Sequence, residues 1–336
     1  MLVDLRPISS PLVVVGSYEV AEQIVKASRT SDWAYLDCIF SGKGAPPIVD
    51  LSSYEAGESW KAFLKRFSTG FAPQHLLSLL SSIIDKSILF LHRLDNLSRS
   101  GKEFLLQDLA TNLTFHTIGP VVLDIDMGAH NNNPTHLMRI FHELIQTCAD
   151  EWITLPWWCT PQLEAQSSRE AGQRYPKSIV RERYTKLDLN PKTVDVTCDQ
   201  LSTLLFADHD TTSTTIAWRF YELSRTPHAL RAVHAELDEL FGPNPTGPGG
   251  EEHIHRMTYT AAVIREVLQL RPPDGTARTT KPGDGLRVTL LPYSSSSSSE
   301  MGEMDLDGLM LYPIHYIIQR DPAVFGDIAN AFVSER

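Results

Sequence analysis

The chain has 336 residues, enough for one large domain or two smaller ones. Its formal net charge of −11, with no Lys/Arg-rich run, argues against a nucleic-acid partner, and 42% hydrophobic with 21% charged residues is an ordinary globular balance. Cys38, Cys148, Cys159 and Cys198 contain no CxxC pair, which excludes a disulfide framework and a zinc site and fits a reducing compartment.

No apolar run reaches the ~18 residues of a transmembrane helix, so no transmembrane anchor is expected. Asp4, Arg6 and Pro7 interrupt any signal-peptide core. Leu12-Val13-Val14-Val15 ahead of Gly16-Ser17 predicts a short buried strand. Ser17 then caps a helix from Tyr18 to Lys26, with Ala21, Ile24 and Val25 inward. Residues 27–53, with few periodic apolars and several Gly and Pro, predict a long loop.

Glu55 to Phe67 is amphipathic, with Trp60, Phe63, Leu64 and Phe67 on one face. Pro73 opens a helix carrying Leu76, Leu77, Leu80, Ile84, Ile88 and Leu91, and Leu105 to Ile118 predicts a third. Gly119-Pro120 should interrupt that third helix, because a proline inside it costs about 3 kcal/mol. Asn96-Leu97-Ser98 and Asn112-Leu113-Thr114 match the glycosylation pattern and are read as chance matches. His130 to Pro134 reads as a polar loop and Pro134 to Cys148 as a helix. Trp152, Trp157 and Trp158, set between prolines, make a surface turn or a hydrophobic lid. Ser167 to Lys186 is a charged, solvated stretch.

The chain is organised around Val194 to Thr226, which holds no Pro or Gly and is bracketed by Asn190-Pro191 and Thr226-Pro227. Leu201, Leu204, Leu205, Ala207, Thr211, Thr215 and Trp218 recur at helical spacing. In the middle, Asp208, His209 and Asp210 precede five consecutive hydroxyl residues, Thr211 to Thr215, which are poor helix formers whose oxygens bond back to carbonyls one turn earlier. The pattern leaves two readings open: one long helix with an acid–alcohol site at its centre, or a helix that starts near Asp210 with the acids as its cap.

Beyond it, Pro227 starts a helix with Leu230, Val233, Leu237 and Leu240 in register. Gly242 to Gly250 is a linker, and Thr258 to Leu270 is a helix ended by Pro272-Pro273. His130, His136, His253 and His255 are read as surface histidines without a metal role. Leu286 to Leu291 and Met310-Leu311 predict strands, with the serine tract from Ser294 to Ser299 as a hairpin tip. The fold expected is mainly α with a small β-sheet (α+β).

Four stretches, in this order and spacing, resemble one family. Phe206 to Trp218 (FADHDTTSTTIAW) resembles the oxygen-activating helix of cytochrome P450 monooxygenases, usually Ala/Gly-Gly-x-Asp/Glu-Thr-Thr/Ser. Arg265-Glu266-Val267-Leu268-Gln269 with Arg271-Pro272-Pro273 resembles the E-x-x-R helix and its R-P-P. Gln319 to Gly326 and Phe332 to Arg336 resemble the R-D-P…F-x-P-E-R meander, and Glu58 to Lys61 the W-x-x-x-R helix.

The resemblance, fungal in style and running from about Pro11 to the last residue, implies a single P450-like domain over residues 1–336, partial at both ends. It implies haem as cofactor, with iron held by a Cys thiolate. The reaction implied is oxidation or hydroxylation of a small lipophilic substrate in secondary metabolism, with electrons from an NADPH-dependent flavoprotein reductase. Asp210 and Thr211 match the catalytic acid–alcohol relay, Ala207 the small residue beside the oxygen, and Trp60 a propionate contact. Glu266, Gln269 and Arg336 match the bracing ionic triad.

Departures fall on that machinery. The chain ends at Arg336, ahead of where the family's F-x-x-G-x-R-x-C-x-G loop follows, and none of the four cysteines has that context, so no metal ligand is assigned. Leu64 replaces the propionate Arg, Gln269 the Arg of E-x-x-R, and Asp208 the oxygen-side Gly. The expectation is loss of oxygen activation as written. The alternative function is a non-catalytic helical interaction or ligand-binding module. A cytoplasmic location follows for the sequence as written, whereas members of this type usually sit at the endoplasmic reticulum membrane.

Overall fold

The computed structural model describes residues 2–3, 12–26, 30–32, 65, 72–123, 191–242, 250–273, 275, 278–280, 283, 285–290 and 302–335. They fall into two compact units, residues 1–61 with 274–331, and 62–273 with 332–336.

The first unit is built on a five-stranded sheet. Its strands are β1 (Leu2–Val3), β2 (Leu12–Val15), β3 (Thr30–Asp32), β4 (Arg278–Thr280) and β7 (Met310–Pro313), in the order β1-β2-β7-β4-β3. β2 and β7 run parallel, with Val13 opposite Leu311, and the other pairs are antiparallel. Val13 and Val15 alternate into the core. There they join Ala21, Ile24, Leu286, Val288, Leu306, Leu311 and Ile318.

Helix α1 (Tyr18–Lys26) starts where Ser17 predicts it, the Ser17 Oγ accepting from the Val20 amide at 3.4 Å. Its inner face is narrower than expected: Ala21 and Ile24 are buried, but Val25 is exposed. Gln23 ties α1 to β5 (Arg287–Leu290) by donating to the Thr289 carbonyl (3.1 Å) and accepting from the Thr289 amide (2.9 Å). β5 pairs antiparallel with β6 (Gly302–Asp305), and residues 291–301, with the serine tract, connect them outside the described residues. Two short helices, α9 (His315–Ile318) and α10 (Pro322–Phe325), close this unit, the second capped by the Asp321 carboxylate.

Four strands escaped the sequence reading: β1, β4, β3 and β6. β3 lies in the stretch expected to be loop, and β6, Gly-Glu-Met-Asp, has little strand propensity. Both take their form from a partner strand.

The second unit is helical. α2 (Pro73–Ser78) and α3 (Leu80–Ser100) were expected as one helix and are separated at Leu79, while Gly101, at φ 62°, ends α3 in the left-handed conformation. Ile88 and Leu91 of the expected inner stripe are exposed. α4 (Leu106–Leu123) runs through Gly119-Pro120 instead of stopping. The proline has no amide to donate, so one turn of α4 is held by packing instead of its own ladder. Both glycosylation-like triplets begin within helices, Asn96 in α3 and Asn112 in α4.

α5 (Pro191–Arg225) is one uninterrupted helix of 35 residues, roughly 52 Å long at 1.5 Å per residue. Asp210 is therefore interior, not a cap. α6 (Pro227–Phe241) buries Ala229 and Val233 but leaves Leu230 exposed. A short α7 (Glu251–Arg256) was not foreseen. Its His253, read as a surface residue, stacks on Phe241 at 4.9 Å between ring centroids and accepts from the Gly250 amide at 3.1 Å. α8 (Thr258–Leu270) matches its predicted bounds and buries Val263, Glu266, Val267 and Leu270.

Residues 124–190 and most of 33–71, including the expected amphipathic helix, the polar loop at His130 with His136, and the tryptophan segment, lie outside the described residues. No helix among the described residues is long and apolar enough to cross a membrane.

The α6–α8 junction is fastened by one carboxylate. The Met257 N-cap of α8 makes no side-chain cap bond; Glu236 of α6 supplies it, accepting from the amides of Tyr259 (2.6 Å) and Thr260 (2.8 Å) and from both threonine hydroxyls, Thr258 (3.3 Å) and Thr260 (2.7 Å). Burial alone would raise the Glu236 carboxyl, but these bonds outweigh it and hold it below the ordinary carboxylate value. A depressed folded pKa means a contribution present above the unfolded value and lost as pH falls through the folded one. Glu236→Ala should cost about 1 kcal/mol at neutral pH, with the difference from wild type closing on acidification. Urea midpoints of both proteins across pH check this; a gap that does not narrow in acid would contradict it.

Candidate functional site

The acid–alcohol stretch of α5 stays helical because α4 answers it with polar side chains. Leu205, His209 and Ser213, spaced by four, form the buried stripe. The Ser213 hydroxyl is fully buried and bonded throughout: it accepts from Gln107 Nε2 (3.0 Å) and Thr111 Oγ1 (3.3 Å) and donates to the Asp210 carbonyl (2.9 Å). Gln107 also reaches the Thr214 hydroxyl at 3.3 Å. Thr114 donates to the His209 carbonyl at 2.8 Å, and the His209 ring, with Nδ1 2.6 Å from the Leu205 carbonyl, meets Phe115 edge-on at 5.4 Å. The expected back-bonding is present in Thr215, whose hydroxyl donates to the Thr211 carbonyl at 2.8 Å.

At 100° per residue, Asp208, Thr211 and Thr215 lie on the helix face turned away from Ser213, while Asp210 lies nearer to it. Adjacent in sequence, Asp210 and Thr211 point about 100° apart; it is Asp208 that is the one-turn neighbour of Thr211. Asp208 is half-buried, its Oδ2 is shut off from solvent and has no hydrogen-bond partner, and burial pushes its carboxyl above the ordinary value.

α8 supplies the second cluster. Glu266 is buried, and its Oε1 accepts from the Val333 amide at 3.0 Å, so the first acid of the E-x-x-R pattern grips the backbone of the last described segment. Gln269 is half-buried one turn on. Tyr259 adds a second grip through Ser334 Oγ (2.8 Å) and Glu335 Oε1 (2.7 Å), and the bond to Glu335 holds that carboxyl low. Trp60 and Arg336 lie outside the described residues, and of Ala207 only the helical backbone is described.

One constellation was missed in the sequence. Arg271 is sandwiched between the Glu222 carboxylate (2.9 Å) and the face of Trp218 (4.5 Å to the ring centroid), joining the end of α8 to the last turns of α5. Trp218 and Glu222 at i and i+4 were the available signal, but their partner lies some fifty positions on.

Small helices packed on one long helix, with a polar cluster at its middle and a buried glutamate bracing a C-terminal segment, define a mainly α protein built around a central helical site. The cytochrome P450 family model matches residues 194–282, which covers nearly all of α5 and the whole of α8. The chain is 25% identical over 308 residues to the cytochrome P450 monooxygenase acrF of Aspergillus aculeatus, covering 82% of this chain and 61% of the relative. It is 24% identical over 376 aligned positions to the cytochrome P450 monooxygenase polC of Polytolypa hystricis, covering 99% and 64%. It is 36% identical over 146 residues to the bifunctional cytochrome P450/NADPH–P450 reductase ascE of Acremonium egyptiacum, covering 42% and 12%. The chain is similar to cytochrome P450 monooxygenases, fungal ones among them, and spans a little over three-fifths of the length of the first two relatives.

Haem is that family's cofactor. The oxygen side of α5 does not fit it: where the pattern has glycine, Asp208 places a carboxyl with a buried, unpartnered oxygen on the Thr211 face. No group of three His, Cys, Asp or Glu side chains that could hold a metal ion occurs among the described residues.

Two outcomes follow. A raised folded pKa at Asp208 means the folded state holds the proton more tightly, so its stabilising contribution is full below the unfolded value and is lost as pH rises through the folded one. Asp208→Asn should therefore melt above wild type once the pH exceeds the ordinary carboxylate range, with the gap growing as pH rises through the raised folded value; thermal scans at several pH values measure it, and a constant gap would exclude a shifted carboxyl. Removing one member of the mostly buried Glu222–Arg271 pair should cost about 3 kcal/mol. The double variant Glu222→Ala/Arg271→Ala should cost clearly less than the sum of the singles in urea unfolding.

Proposed function

We propose that the chain derives from a haem-thiolate monooxygenase that oxidised a small lipophilic compound in fungal secondary metabolism. In its present form it binds such a compound along α5 without activating oxygen. In this reading Asp210 and Thr211 keep the positions of the proton relay, Ala207 and Trp60 those that line and hold the haem, and Glu266, Gln269 and Arg336 those of the brace, all within one P450-like domain. The electron donor of that monooxygenase is an NADPH-dependent flavoprotein reductase, a partner supported by the relative that carries both parts in one polypeptide. Members of this type usually sit at the endoplasmic reticulum membrane, and no helix among the described residues is long and apolar enough to cross one.

The observation that carries the loss of oxygen activation is the unpartnered Asp208 oxygen on the Thr211 face. A carboxylate there is costly to bury beside an apolar diatomic ligand. Gln269 supports the same conclusion, since a neutral amide at that position cannot form the ion pair of the E-x-x-R pattern. Protein expressed with ample haem, reduced with dithionite and exposed to carbon monoxide, should show no Soret band at the long wavelength of thiolate ligation. A stoichiometric band at that wavelength would overturn the reading.

A further inference from the structure

We propose that Asp208 is the counter-ion of a cationic ligand. The α5 face carrying Thr211 and Thr215 receives a small lipophilic compound bearing a protonated amine, and the Asp208 carboxylate pairs with it. This rests on the reading of that face as a binding face and adds the chemical class of what it binds.

The argument starts from the helix itself. α5 runs straight through the cluster, so side-chain directions are fixed by the helical period. One side of the cluster is used up by packing: Ser213, Thr214 and the His209 carbonyl are all bonded to α4. Asp208 projects to the opposite side, beside Thr211 one turn on. Its Oδ2 is closed to solvent and accepts no hydrogen bond, although a carboxylate offers about four acceptor sites.

Nothing among the described residues of α5 relieves that oxygen. Toward the C-terminal end of α5 the first basic residue is Arg219, eleven residues and roughly 16 Å along the axis, too far to reach. A desolvated carboxylate without a partner is unstable as an anion, which is why burial raises its protonation range. A neutral ligand laid on this face would desolvate it further. An ammonium group regains the lost interaction in a partly dry setting, where a charge-assisted hydrogen bond is strongest. The net charge of −11 also draws cations toward the protein.

Adamantylamine and adamantanol, nearly equal in shape and differing in charge, test this by titration calorimetry on the full-length protein near neutral pH. Wild type should bind the amine about tenfold or more tightly than the alcohol. Asp208→Asn should lose the preference while keeping its fold, shown by an unchanged or higher melting temperature. Asp238→Asn, an exposed acid on α6 outside this face, should keep it. The preference should also weaken on acidification, as Asp208 takes up a proton. Equal binding of both probes by wild type, tighter binding of the alcohol, or a preference that survives Asp208→Asn would overturn the inference and leave the binding-face reading standing. Binding of neither probe would overturn both.

Discussion

The buried hydroxyl of Ser213 is the contact on which the central helix depends. Five consecutive Ser/Thr residues in mid-helix offer the backbone alternatives to its own ladder, and in isolation they would weaken it. Here each hydroxyl facing α4 has a dedicated partner, Gln107 or Thr111, and the Thr114 hydroxyl satisfies the His209 carbonyl from outside. A polar seam of this kind is directional, so it fixes the rotation of α5 about its axis as an apolar seam would not. The other described side chains of α5 are aimed by that rotation: Asp208 away from Ser213, and Thr211, Trp218 and Glu222 along one stripe whose far end meets Arg271.

Helix existence was legible wherever apolar residues kept a 3.6-residue period between Pro and Gly punctuation. α1, α8 and the Pro227 start of α6 fall where those signals put them. The failures have physical causes. Pro120 was read as a stop because local propensity disfavours it, and packing against α5 overrode that cost. β3 and β6 are polar, and their strand form is imposed by pairing over distances that no local window sees. The inner stripe of α5 was assigned to apolar residues, whereas His209 and Ser213 stand with Leu205 among its deepest members. Polar residues escape a hydrophobic-period reading even when they are the most buried.

The site shows the same division. The motif positions Asp208, Asp210, Thr211, Glu266 and Gln269 were found in the sequence, since each is a one-dimensional pattern. What each touches was not. Glu266 was matched to a bracing triad with Gln269 and Arg336, and the grip visible is on the backbone amide of Val333. An amide donor does not depend on the identity of any side chain, so this bond is open to Glu266 whether position 269 is Arg or Gln. Tyr259 reinforces it from the first turn of α8; Glu236 anchors the start of that helix and the Arg271–Glu222 pair holds its end.

Two acids two residues apart on a helix cannot do the same work, because they point about 200° apart. In the usual pattern of this family the position of Asp208 is glycine, and only the later acid matters. Here the earlier acid takes the face of Thr211 and the later one sits toward the seam with α4. Asp210's own backbone carbonyl accepts from the Ser213 hydroxyl, and by the helical period its side chain lies on the Ser213 side of α5. Asp208 has the unsatisfied oxygen. The two acids thus stand on different sides of α5: Asp208 keeps a solvent-shielded oxygen without a partner beside Thr211, while the seam with α4 and the grip of Glu266 are formed as if that carboxyl were absent.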